Sequence, residues 1–155
     1  NYKYILEKYK SPTPEALAES AFFHAELLEK FPPDVVCMGI GENGHIAFND
    51  PHVADFNDPC RIKKVDLDLM CRQQQVNDGC FPDINSVPTH AVTLTIPALT
   101  AAKYMFCVVP GATKTNAVTN TVEGPITVDC PATVMRNHDG AILYCDADSG
   151  KNIGA

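Results

Sequence analysis

Residues 34–51 read DVVCMGIGENGHIAFNDP. The first seven, DVVCMGI, form a short, almost wholly apolar run rich in β-branched residues. Such a run between helical segments reads as a central strand of a parallel sheet, buried on both faces. A glycine-rich turn follows, with Gly39, Gly41 and Gly44 around one histidine, His45, and with Asp50 five residues beyond it. That places His45 just past a strand's carboxyl end, where open α/β sheets bind ligands. Glycines here let backbone amides approach a ligand or adopt positive φ. An imidazole titrates near neutrality, which suits a proton donor or acceptor. Asp50 and Glu42 are placed to orient the ring and hold its tautomer, as a carboxylate does in hydrolase triads. Asn43 is placed to bond the ring or a sugar hydroxyl. The alternative is a structural loop whose histidine merely bonds a carbonyl, and composition and position alone do not choose between them.

Working outward, NYKYILEKYK has Tyr2, Ile5, Leu6 and Tyr9 at helical spacing. SPTP then breaks the pattern, with Ser11 or Thr13 as cap for a second helix over about Pro14 to Lys30, ended by Phe31-Pro32-Pro33. After the glycine turn, RIKKVDL alternates like a partly exposed strand and LDLMCRQQQVND predicts a helix. HAVTLTI predicts a strand, PALTAA a short helix, and KYMFCVV a second buried strand ended by Pro110-Gly111. ATKTNAVTNTVEG predicts a helix stopped by Gly124, and GAILYCD a last strand before the polar tail DADSGKNIGA. Strands alternating with helices predict an α/β layered fold with a mostly parallel sheet flanked by helices.

The 155 residues suit one domain or the larger part of one, and an apolar content of 45% supplies a sizeable core. Twelve basic residues against 19 acidic ones disfavour non-specific binding to nucleic acid or to an anionic membrane. They leave room for a small basic pocket. The seven cysteines are scattered without CxxC spacing, which predicts free thiols in a reducing cytoplasm. With no signal peptide visible and no apolar run of membrane-spanning length, the expectation is a cytoplasmic protein.

MGIGENGHIAFNDP resembles the signature of the glucosamine-6-phosphate deaminase (isomerase) family, within a superfamily shared with 6-phosphogluconolactonases. The lactonase branch usually carries DGHTASLFP-like residues where this chain has NGHIAFNDP, which favours the deaminase side. Similarity continues through PTHAVTLTIPALTAAKYMFCVVPGATKTNAVTNTVEG. The resemblance implies a Rossmann-like fold and a metal-free, cofactor-free aldose–ketose isomerisation coupled to loss of ammonia. It implies that His45 opens the sugar ring by shuttling a proton to the ring oxygen, with Asn43 and Asp50 as its orienting residues and Gly44 in the substrate-binding turn. Asn43 stands where many members have aspartate, and Asp50 where the motif usually has glutamate. Lys114 matches the family's phosphate-gripping lysine. A cation beside helix amides and Gly111 suits that task.

The family's phosphate-binding arginine has no strict counterpart here, and Arg72 is the candidate substitute. Gln73 to Gln75 either meet sugar hydroxyls or form a polar helix face. Arg61 and Lys63 match an allosteric phosphate site in some relatives, but without its serine an ordinary charged strand is the better reading. The family's Ser/Gly/Thr phosphate loop and aspartate base precede the histidine motif, and neither is found here. The expectation is a single α/β domain over 1–155 that forms the carboxyl-terminal part of a longer one; the alternative is a diverged piece without full activity. The implied partner is a phosphorylated amino sugar, and the family implies a homo-oligomer. Competing functions are a sugar-phosphate lactonase or related isomerase, and a non-catalytic sugar-phosphate sensor.

Overall fold

A computed structural model describes residues 24–154. The amphipathic segment Tyr2–Tyr9, the Ser11/Thr13 cap and the first part of the Pro14–Lys30 helix lie outside the described residues; 24–30 are helical, as expected. The strands are β1 Val35–Met38, β2 Ile62–Asp66, β3 His90–Leu94, β4 Tyr104–Val109 and β5 Ala141–Cys145. The α-helices are α1 Leu69–Asn77, α2 Ile96–Thr100 and α3 Thr115–Glu123. Strands β1, β4 and β5 form a three-stranded sheet in the order β1-β4-β5. Both pairings are parallel, with Val35 opposite Tyr104 and Met105 opposite Ala141.

Parallel neighbours need crossover connections. The β4-to-β5 crossover carries α3, and the longer β1-to-β4 crossover carries everything between the glycine turn and α2. Met105, Cys107 and Val109 project from β4 into the core beside Ile96, Leu99, Val118 and Ala132. The opposite faces of the same strands are open among the described residues, with Val35 46% and Val108 57% exposed. Among the described residues, the expected burial on both faces is therefore not seen for DVVCMGI and KYMFCVV. Period-two side chains put Val35 and Val108 on faces that stay partly open among the described residues.

A second departure concerns RIKKVDL and HAVTLTI. They pair with each other, antiparallel, as a separate two-stranded ribbon. Only Val65 and Thr93 of their ten paired residues are buried, and one-sided burial is the antiparallel habit. The ribbon supports the glycine turn. Thr93 Oγ1 accepts from the Phe48 N–H at 3.0 Å, and Asn49 Nδ2 donates to the Leu94 carbonyl at 2.9 Å.

Two carboxyl-terminal features depart from the pattern. Pro131–Asn137 forms a 3-10 helix, and its Ala132 N–H donates to the Gly44 carbonyl at 2.9 Å. The polar tail folds back. Asp146 accepts from the Ser149 N–H at 2.7 Å and, through its other oxygen, from the Gly111 N–H at 2.9 Å, while Ser149 is fully buried.

Met105 is the largest core side chain of the central strand, with no exposed surface. Met105→Ala should destabilise the fold by about 2–5 kcal/mol, read as a lowered denaturant midpoint at unchanged slope.

Candidate active site

The glycine turn delivers His45 to one place. Gly44, at φ 84°, reverses the chain, and its N–H donates to the Gly41 carbonyl at 3.0 Å. The Gly41 N–H then donates to the His45 carbonyl at 2.9 Å. Gly41 lies directly against the imidazole, so that a Cβ there would fall inside the His45 ring. A Cβ on Gly44 would strike Cys130 Sγ at 2.5 Å. Ala47, two residues on, holds φ 51°, a strained conformation for a residue with a side chain.

His45 is 9% exposed. Its Nδ1 lies 2.7 Å from Asn43 Oδ1 and 2.9 Å from Asp50 Oδ1. Asn43 Oδ1 also accepts from the His45 backbone N–H at 3.0 Å, which identifies that atom as the amide oxygen. Asn43 Nδ2 then donates to Asp50 Oδ1 at 3.0 Å. Both atoms facing Nδ1 are acceptors, so Nδ1 carries the hydrogen and Nε2 is left without one in the neutral ring. Burial alone would raise the Asp50 pKa. The hydrogen bonds from His45 and Asn43, with the nearby imidazoles of His45 and His52, outweigh it and hold the carboxyl below its ordinary 3.8. Asp50 is thus a buried carboxylate facing the imidazole. Glu42 takes part through its backbone, its N–H donating to Gln74 Oε1 at 3.2 Å.

In front of the ring is a cavity of about 370 Å³, lined by Gly39, Gly41, His45, Gln74, Pro110 and Lys114 among others. That size suits a small-molecule ligand. Lys114 ends the 3-10 turn Ala112–Lys114 and precedes α3. Gly111, at φ 96°, opens that turn and is held by Asp146.

The structure therefore brings His45, Asn43, Asp50, Gly44 and Lys114 to one end of the sheet, with His45 and Lys114 facing the same cavity. Arg72 does not join them. Its Nη2 donates to the carbonyls of Ile84 at 2.6 Å and Val87 at 3.0 Å, bracing the loop after α1. Gln74 is the α1 side chain at the cavity, whereas Gln73 bonds Asn77 on the exposed face. Lys63 donates to Asp58 at 2.7 Å and to the Val53 carbonyl at 2.6 Å, as an ordinary charged strand residue would. Cys71 was not singled out from its helix pattern, yet it is buried beside Asp50 and His45. Only the fold, by laying α1 across the turn, places it there. Among the described residues no helix is long and apolar enough to cross a membrane.

The family model for glucosamine-6-phosphate isomerases and 6-phosphogluconolactonases matches residues 4–144. The glucosamine-6-phosphate deaminases of Bacillus cereus (strain G9842) and Bacillus anthracis (strain A0248) are each 35% identical over 133 residues, covering 86% of this chain and 49% of the relative. The chain spans about half the length of the curated relatives it matches. A solved monomeric glucosamine-6-phosphate deaminase superposes with a TM-score of 0.80 at 31% identity, over 90% of this chain and 56% of that one. The 6-phosphogluconolactonase from Trypanosoma cruzi superposes with a TM-score of 0.67 at 16% identity, over 97% and 57%, a likeness of fold alone.

Two expectations follow from the geometry. Gly41→Ala should drive the imidazole from its seat. In long-range 15N–1H correlation spectra the Nδ1–H tautomer of His45 should dominate in the wild type and give way to a mixture in the variant. The second concerns acid. Because the Asp50 pKa is depressed on folding, its ionised form stabilises the protein above its unfolded pKa near 3.8, and this contribution is lost as pH falls through the lower folded value. Between about pH 5 and about pH 3 the melting temperature of Asp50→Asn should therefore fall less than that of the wild type. Asp58 and Asp146, also held low, remain in both proteins, so the difference reports Asp50.

Proposed function

The chain belongs to the family of glucosamine-6-phosphate isomerases and 6-phosphogluconolactonases, and from that premise we propose that it carries the ring-opening machinery of an amino-sugar-phosphate deaminase. The reaction converts an amino-sugar 6-phosphate to the ketose 6-phosphate with release of ammonia. The observation that carries this reading is the locked Nδ1–H of His45, which leaves Nε2 to exchange protons in a cavity that also holds Lys114.

In ring opening, Nε2 takes the proton from the C1 hydroxyl and returns it to the ring oxygen. The C1–O bond of the ring breaks as the C1 carbonyl forms, so no net proton is consumed. While the ring is doubly protonated, Asp50 faces a cation and Asn43 holds its plane. Asn43 in place of an aspartate leaves a single carboxylate on the imidazole, which stabilises the cation less than two would. Lys114, in the same cavity, anchors the phosphate, fixing C1 and the ring oxygen toward His45.

The later transfer of the C2 proton to C1 needs a second base. The described residues lining the cavity include no carboxylate, and the resemblance puts that aspartate before the histidine motif. The deaminase reading is preferred to the lactonase one because the curated relatives at 35% identity are deaminases, whereas the lactonases share the fold alone. For assembly, the homo-oligomer expected from the family stands beside a solved relative that is a monomer.

The full-length protein should release ammonium from glucosamine 6-phosphate or its galactosamine isomer. His45→Ala should lower that rate by about 10²–10⁴-fold, and Lys114→Ala should chiefly raise KM. Hydrolysis of 6-phosphogluconolactone without ammonium release would replace the proposal with the lactonase reading. Calorimetric binding of the sugar phosphate without turnover would replace it with the sensor.

A further inference from the structure

Asp50 has one oxygen engaged by His45 and Asn43. Its other oxygen, Oδ2, is fully buried and meets no N–H or O–H donor, the weak thiol donor of Cys71 being the carboxylate's remaining partner. A buried carboxylate oxygen left this way costs free energy unless a cation or donor reaches it. Cys71, in the first turn of α1, is also buried, and its N–H is tied to the Asp68 carboxylate at 2.6 Å, which fixes where the helix starts. Donor atoms of His45, Asp50 and Cys71 lie within 4.8 Å of one another.

We propose that His45, Asp50 and Cys71 form an inhibitory site for a thiophilic divalent cation, zinc above all. An imidazole nitrogen, a carboxylate oxygen and a thiolate are a zinc donor set, and water can complete the tetrahedron. Donors bound at about 2.0–2.3 Å in a tetrahedron stand roughly 3.3–3.8 Å apart, so this cluster needs only small side-chain shifts. Thiolate and imidazole together disfavour magnesium and calcium, which take oxygen shells.

The charges balance. Cys71 loses its thiol proton to solvent on binding, and thiolate plus carboxylate neutralise the dication. In the free protein the thiol is pushed up to about 12 by burial and by the neighbouring carboxylates of Asp50 and Asp68, so without a cation it stays protonated. Binding has a direct consequence for His45. Nδ1 must give up its hydrogen to act as ligand, and the neutral ring then carries its proton on Nε2. The nitrogen facing the cavity is no longer free to accept the substrate's proton. Inhibition rests on the ring-opening role proposed above; the binding itself does not.

The exposed thiols Cys37, Cys60, Cys80 and Cys145 are competing ligands. They are first alkylated with iodoacetamide under native conditions, where protonated, buried Cys71 is inert. Cobalt(II) chloride is then titrated into the full-length protein as spectroscopic probe. The expected result is a thiolate-to-cobalt charge-transfer band that saturates at one ion per chain, is lost in Cys71→Ser and is displaced by zinc. No such band in the wild type, or an undiminished band in Cys71→Ser, overturns the site. The second measurement is ammonium release against zinc concentration, each protein normalised to its own zinc-free rate. Half-inhibition should require roughly tenfold more zinc, or beyond, in Cys71→Ser. Equal zinc sensitivity overturns the inhibitory role. Absence of ammonium release with the cobalt band intact counts against the deaminase reading and leaves the cation site supported.

Discussion

One hydrogen shared among three atoms organises this molecule's chemistry: the Nδ1–H of His45, with Asn43 Oδ1 and Asp50 Oδ1 as its acceptors at 2.7 and 2.9 Å. Remove it and Asp50 becomes a buried charge without its main partner, a state that proteins tolerate poorly. Asn43 makes the arrangement unambiguous. Its oxygen is claimed by the His45 N–H and its amide nitrogen by Asp50, so the side chain has one orientation and the imidazole one tautomer.

The rest of the fold serves that constraint. The turn is built from glycines because the imidazole occupies the volume a side chain at Gly41 would need, and because Gly44 sits against Cys130. The antiparallel ribbon fixes the far side of the turn through Thr93 and Asn49. The 3-10 helix after α3 fixes the near side through the Ala132 N–H and the Gly44 carbonyl. Packing against Ile46, which is fully buried, ties the turn to the sheet's core face. Rigidity of this kind is what the proposed proton exchange requires, since the distance from the imidazole to a ligand is set before the ligand arrives.

Much of this was legible in the residues. The order of strands and helices after Phe31 follows from hydrophobic period, and the position of His45 at a strand end follows from DVVCMGI meeting a glycine turn. Spacing offered both Asp50 and Glu42 as carboxylate partners for the ring, and the fold puts Asp50 against Nδ1. What was not legible depends on tertiary partners. Apolar runs report a strand's preference for burial but not what packs on each face, so the exposure of Val35 and Val108 among the described residues could not be foreseen. Alternation in RIKKVDL marks one-sided burial without saying which strand pairs with it. Arg72 and Gln74 lie two positions apart on one helix, and only the direction of α1 across the turn decides that the amide meets the cavity while the guanidinium braces a loop. Cys71 carried no signal at all, because a lone cysteine in a helix looks like any small apolar residue.

The backfolded segment after β5 gives the lysine's position a remote dependency. Asp146 gathers the amides of Asp148, Ser149 and Gly111 on one carboxylate, and Thr115 at the start of α3 reaches the Asp148 carbonyl at 3.0 Å. The turn bearing Lys114 is therefore sewn to a stretch of chain more than thirty positions later. Under the phosphate role proposed for Lys114, changes confined to Asp146–Ser149 would alter how tightly an anion is held while leaving the imidazole's proton where it is.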